Sequence, residues 1–269
     1  MIGLTTYREL IRRPLFWLLT LVAAVLLCLF AIIPYYTLGE DIKMVKDQGL
    51  ALIMINGLII AFFAASVSIA DEIEGKTAIT LLSKPITRRD FILGKYTGIM
   101  AAIAVMFLIL SIVFLAVLYF KAGYDARETA QERPSFAERM DMMVRMLPAI
   151  VLTYLKVAIL CAWSVAFSTR FPIHLNITAC IVILLLGHLA PQMVQASEQR
   201  QVNEAVEFVA KVFATVLPEL ERFNVGPAIS TDAVVPWFDY VLYCVLHMVG
   251  FCGIALLFAL LLFEDRDLA

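Results

Sequence analysis

Apolar residues fall along the chain in six unbroken runs, at positions 15–38, 50–70, 98–120, 148–169, 173–191 and 240–263. A helix needs roughly 20 residues to cross a bilayer core of about 30 Å, and every run is about that long. The runs are continuous and do not alternate apolar with polar positions, so they predict membrane helices and not the strands of a barrel. Between them lie two amphipathic stretches. Ser135 followed by Glu138 makes a capping-box start, after which Phe136, Met140, Met143, Val144 and Leu147 share one helical face and lead into the fourth run. Further on, Val202, Ala205, Val206, Val209, Val212, Phe213, Val216 and Leu217 recur every three or four residues until Pro218 stops the pattern. Residues 218–237, rich in proline, read as irregular connection. An amphipathic segment also precedes the first run.

Composition agrees with the pattern. The 269 residues are 62% hydrophobic with a mean hydropathy of +0.89, whereas a soluble domain is about 45–50% apolar. Of the 21 basic and 23 acidic side chains, Lys156 alone lies inside a run. A net charge of -2 offers no basic field for nucleic acid. The first run exceeds the roughly 7–15 residues of a signal-peptide core and has no Ala-x-Ala site after it, so it reads as a retained helix.

An even number of spans puts both termini on one side. That side carries 10 Lys or Arg in 50 residues against 10 in 86 opposite, and Arg8, Arg12 and Arg13 stand directly ahead of the first span. The bias predicts cytoplasmic termini. The expectation is an all-α membrane protein: one transmembrane domain over residues 1–269, a bundle of six helices with amphipathic helices in the outer loops.

Enzyme chemistry finds little support. Residues 70–77 read A-x-x-x-x-G-K-T, a relaxed phosphate-loop pattern, but the match follows a membrane span instead of a buried strand, and Asp71, Glu72 and Glu74 would repel phosphate. The metalloprotease, nucleophile-elbow and Ser-x-x-Lys signatures are missing, and the spans contain no carboxylates. Cys28, Cys161, Cys180, Cys244 and Cys252 lie within spans without metal-ligand spacing and read as packing residues. His174, His188 and His247 read as hydrogen-bonded packing or interfacial residues. Asn176-Ile177-Thr178 fits a glycosylation sequon, yet sits in a span.

Two features carry more weight. Lys156 is an ionised group well inside a span, where charge is costly. Either the span starts later and the long side chain snorkels outward, or Lys156 is a cationic contact on a path for an anionic or lipid-like cargo. Gly94 and Gly98, continued by Ala101 and Ala102, form a GxxxG face for close helix packing, within the bundle or between two copies.

The loop between spans two and three, residues 71–97, presents Glu72, Glu74, Gly75, Thr77, Leu81, Leu82, Ser83, Pro85, Arg88, Arg89, Leu93, Gly94 and Lys95 in that order. This order resembles the first cytoplasmic loop of permease subunits in type-2 ABC exporters, and within them the NosY-like subgroup. Lys76 departs from it by separating a Gly and a Thr that are usually adjacent. Phe167-Ser168-Thr169, then Gly187-His188, and the Pro218-rich segment before the last span extend the likeness over nearly the whole chain. Locally, Thr87 is placed to cap a short helix whose first turn holds Asp90, with Pro85 ending the segment before it.

The resemblance implies a coupling element seated on a separate ATP-binding cassette ATPase, with Arg88 and Arg89 as polar contacts and Leu81, Leu82 and Phe91 as apolar ones. It further implies two ATPase copies that bind ATP and Mg, a second permease copy or close relative, and the inner membrane of a prokaryote. The chain itself then needs no cofactor or metal and is not an enzyme. Competing readings are a membrane anchor or assembly factor, an ion-coupled secondary transporter, which the absence of carboxylates in the spans disfavours, and an intramembrane enzyme.

Overall fold

The computed structural model describes residues 2–32, 41–74, 87–128, 134–199, 208, 211–213, 215, 217–226 and 237–264. The regular elements are helices: α1 (Ile2–Arg12), α2 (Pro14–Ile32), α3 (Asp41–Glu74), α4 (Arg88–Glu128), α5 (Phe136–Ser168), α6 (Ile173–Gln199), a 3-10 turn (Leu220–Phe223) and α7 (Trp237–Glu264). Five of these, α3 to α7, are long and apolar enough to cross a membrane; α1 and α2, bent by 62°, make a sixth if counted as one span.

The bend follows from Pro14. Proline lacks an N–H and its ring collides with the carbonyl four residues back, so α1 cannot run on into α2, whereas the first position of a helix tolerates it. The break leaves carbonyls without helical partners, and the Trp17 indole donates to one of them, Ile11 O, at 2.8 Å. The first apolar run was expected to span 15–38; its helix covers Pro14–Ile32, and residues 33–38 lie outside those described.

Two further boundaries differ from expectation. Thr87 does cap a helix: its hydroxyl donates to Asp90 Oδ2 at 2.7 Å and accepts from the Asp90 N–H at 3.2 Å. That helix is not short, however. It continues as α4 for 41 residues through the third apolar run, because nothing between Arg88 and Gly98 breaks helical geometry. At its far end α4 passes the expected limit at Phe120, and the buried Lys121 pairs with Asp125 at 3.0 Å and Asp41 at 3.6 Å, tying α4 to the start of α3. The amphipathic helix expected at 134–147 is present, with both hydrogen bonds of the Ser135–Glu138 capping box, and it joins the fourth span as α5 despite Pro148. The one expected at 202–217 lies mostly outside the described residues.

α5 occupies the centre and packs against α3, α4 and α7; α6 packs on α5 and α3, and α1 lies along α4. α3 and α5 are alternate spans and run the same way. Gly57 stands level with Val157, which a Cβ there would meet at 3.4 Å, while on its other side the Phe107 ring of α4 would lie at 2.8 Å. Near the turn between α5 and α6, the fully buried Asn176 amide donates to Ser66 Oγ at 2.7 Å and Ser164 Oγ at 3.0 Å, joining α3, α5 and α6. Burial of Asn176 in this junction is independent of any role as a sequon.

Candidate functional site

The start of α4 is built as a fixed mount. Arg88 leans onto the end of α7, donating to Phe263 O at 3.2 Å with its guanidinium 5.6 Å from the Phe263 ring. Phe91 stacks on that ring, centroids 5.8 Å apart and planes 15° apart. Phe91 is therefore buried within the chain and is not an exposed apolar contact, contrary to the role that the loop order implies for it. Arg89 and Asp90 on the same turn are exposed. Lys95 is buried, its ammonium 5.7 Å from the Phe91 ring.

One turn further, Gly94 and Gly98 meet α1 instead of another span. A Cβ at Gly94 would lie 2.8 Å from Ile2 Cβ, and one at Gly98 only 2.5 Å from Gly3 O and 2.7 Å from Thr6 Cβ. Only glycine lets the two backbones approach so closely. Glu72 and Glu74 fall in the last turn of α3. Gly75, Thr77, Leu81, Leu82, Ser83 and Pro85 lie outside the described residues.

Lys156 lies elsewhere, just past the middle of α5. Its side chain stays inside the bundle, 5% exposed, with Nζ 2.6 Å from His188 Nε2 on α6. The imidazole tautomer follows from its other nitrogen. Nδ1 lies 3.0 Å from Leu184 O, a partner that only an N–H satisfies, so Nε2 bears the lone pair and accepts from the Lys156 ammonium. Glu221 Oε2 is 3.9 Å from that same nitrogen. With the imidazole neutral, the charge that Glu221 faces is Lys156.

Lys156 and His188 line a cavity of about 300 Å³. α3 contributes Asp47, Leu50 and Met54, α5 contributes Thr153 and Lys156, and the 3-10 turn and the residues after it contribute Phe223, Asn224 and Val225. That segment forms the cavity's cover. A Cβ at Gly187 would lie 2.8 Å from Pro218 O and 2.9 Å from Leu220, so the cover rests flat on α6 one residue before His188. Tyr240 of α7 donates to Arg222 O at 2.5 Å, and the Arg222 guanidinium bonds both Glu219 and the Tyr243 hydroxyl. Burial lowers the Arg222 pKa, but these two partners outweigh it and the net shift is upward.

The sequence singled out Lys156 but read His188 as a packing residue, and Glu221, Asp47 and Thr153 were not singled out at all. Gly187-His188 carried the available signal: the glycine admits the cover and the histidine holds the lysine. Among the described residues no group of His, Cys, Asp and Glu could hold a metal ion, and the five cysteines are free.

A family model described as ABC-2 family transporter protein matches residues 10–173, more than half of the chain, from the end of α1 to the start of α6. The chain belongs to the ABC-2 transporter family. It is an ABC transporter permease and a multi-pass membrane protein, and membership implies an ABC ATPase as partner. ABC-2 permeases are membrane components and not themselves catalytic. The ABC-2 match takes in the α4 mount and Lys156 but ends before His188 and Glu221. No curated protein matches the chain.

Proposed function

We propose that this ABC-2 permease belongs to an exporter and that residues 71–97 form its coupling element, seated on a separate ATPase subunit that binds ATP and Mg. Two ATPase copies and a second permease, identical or closely related, complete the transporter in a prokaryotic inner membrane, with both termini cytoplasmic. Its place in the NosY-like subgroup rests on the loop order alone. The observation that carries the coupling reading is the mount at the start of α4. Arg89 is exposed on a turn whose neighbours Arg88 and Phe91 grip α7, while Gly94 and Gly98 grip α1. A push on Arg89 therefore moves three helices together, and α4 carries it across the membrane without a break.

Affinity purification of the chain from its native membrane in mild detergent provides the test. The reading expects an ABC ATPase to co-purify, and Arg89→Glu to abolish the complex while the permease stays folded. An ATPase absent from the wild-type preparation overturns the coupling reading and favours a membrane anchor or assembly factor.

A further inference from the structure

We propose that the cavity between α3, α5 and α6 is a binding site for an organic monoanion with a short apolar body, and that Glu221 is its built-in competitor. The site rests on the transport reading only for its purpose; the binding chemistry stands on the cavity itself.

Among the residues that line the cavity Lys156 is the one Lys or Arg, and an ammonium in this setting must be balanced. It has three N–H donors, and the neutral His188 takes one. The other two serve an anionic group in the cavity. In the structure the charge facing Lys156 is Glu221, which is held in the cover by Asn224, whose amide donates to Glu221 Oε1 at 3.1 Å. Glu221 is only half-buried and sits on the short 3-10 turn and not on a span, so an incoming carboxylate or phosphodiester can take its place beside Lys156 without moving a span. The Thr153 hydroxyl donates to Ala149 O at 2.7 Å, which leaves its oxygen as an acceptor toward the cavity.

The remaining walls set the rest of the ligand. The register through Gly57 and Val157 puts Asp47 level with the outer end of the α5 wall, some nine residues nearer the surface than Lys156. At 1.5 Å per residue that is about 13 Å of helix. Asp47 at the mouth disfavours a second negative charge there, although Lys43 and Lys46 on the same helix moderate its field. Leu50, Met54, Phe223 and Val225 between the two ends offer an apolar surface. A volume of about 300 Å³ is at the lower end for ligand pockets. A medium-chain carboxylate and the headgroup region of an acidic phospholipid share the required chemistry.

The test uses the full-length chain in phosphatidylcholine nanodiscs, with octanoate titrated by calorimetry and octylamine as control. Octanoate is expected to bind and octylamine not to. Lys156→Met should weaken octanoate at least about tenfold, as loss of a charge-assisted contact does, while Lys156→Arg keeps most of the affinity. Glu221→Gln should tighten binding roughly fivefold, a gain that misfolding cannot produce. A second arm replaces a fraction of the lipid by phosphatidylglycerol and reads retained lipid by native mass spectrometry in the same variants. Dependence on Lys156 and Glu221 in this arm alone assigns the site to a lipid headgroup; in the octanoate arm it assigns the site to a free carboxylate. If neither probe responds to both residues, the proposal is overturned. ATPase co-purification is read separately through Arg89→Glu, so the site and the coupling reading can fail independently.

Discussion

α4 and α7 look alike as sequences, each a long apolar helix with a pair of closely spaced glycines, and differ in what surrounds them. About 44% of the most apolar stretch of α4 is buried within the chain, against 17% for α7. Gly94 and Gly98 of α4 are pressed against the backbone of α1, whereas a Cβ on Gly250 or Gly253 of α7 would meet nothing within 4 Å. Hydropathy reports that both helices suit a membrane; it says nothing of which one the rest of the chain covers more. The lesson is mechanical as well. α4 is gripped by α1 near the termini, while α7 packs one face on α5 and leaves the face of Gly250 and Gly253 to lipid or to another protein, which suits α4 to transmit movement.

The sharpest break of this contrast is Gly98→Val. Its side chain would have to displace the Gly3 backbone, so we expect about 3 kcal/mol of destabilisation and release of α1, read by thermal unfolding in detergent and by protease access to residues 2–12. Arg88→Ala comes next. Losing the hydrogen bond to Phe263 O and the ring contact should cost about 1.5 kcal/mol, concentrated at the end of α7, so amide exchange near Phe263 should speed up while α1 and the start of α4 near Gly98 stay protected.

Gly250→Ala should act in the opposite direction. With open space around it, the added methyl removes backbone entropy from the unfolded chain and is expected to stabilise by roughly 0.5–1 kcal/mol. A loss of stability instead would show that this face of α7 is covered in the assembled protein. Smallest of all is Tyr96→Phe. The hydroxyl links α4 to Ala158 O at 3.4 Å, a long contact, and to Cys252 Sγ at 3.3 Å, a weak sulfur contact, so its removal should cost about 0.5 kcal/mol in the same unfolding assay.

Much of the fold was legible because its signals are local. Length and apolar continuity located α3 to α7, Ser135 and Glu138 marked the start of α5, and Thr87 with Asp90 marked the start of α4. The misreadings share a cause. An apolar run ends where charge begins, but a helix continues past charge when a partner is available, as α4 does where Lys121 meets Asp41 and Asp125. Apolar continuity is equally blind to Pro14, whose missing N–H and ring turn α1 away from α2.

The candidate sites divide in the same way. From the sequence came the residues of the loop between spans two and three, and the oddity of one lysine inside a span. Only the tertiary structure decided that Arg88 and Phe91 grip α7, that the GxxxG of α4 receives α1, and that Lys156 meets His188 and Glu221 across a cavity. The physical reason is rotational. A helix that is apolar all round carries no stripe to show which face meets which neighbour, so its sequence fixes that it spans, while packing of backbones and side chains in three dimensions fixes what it touches.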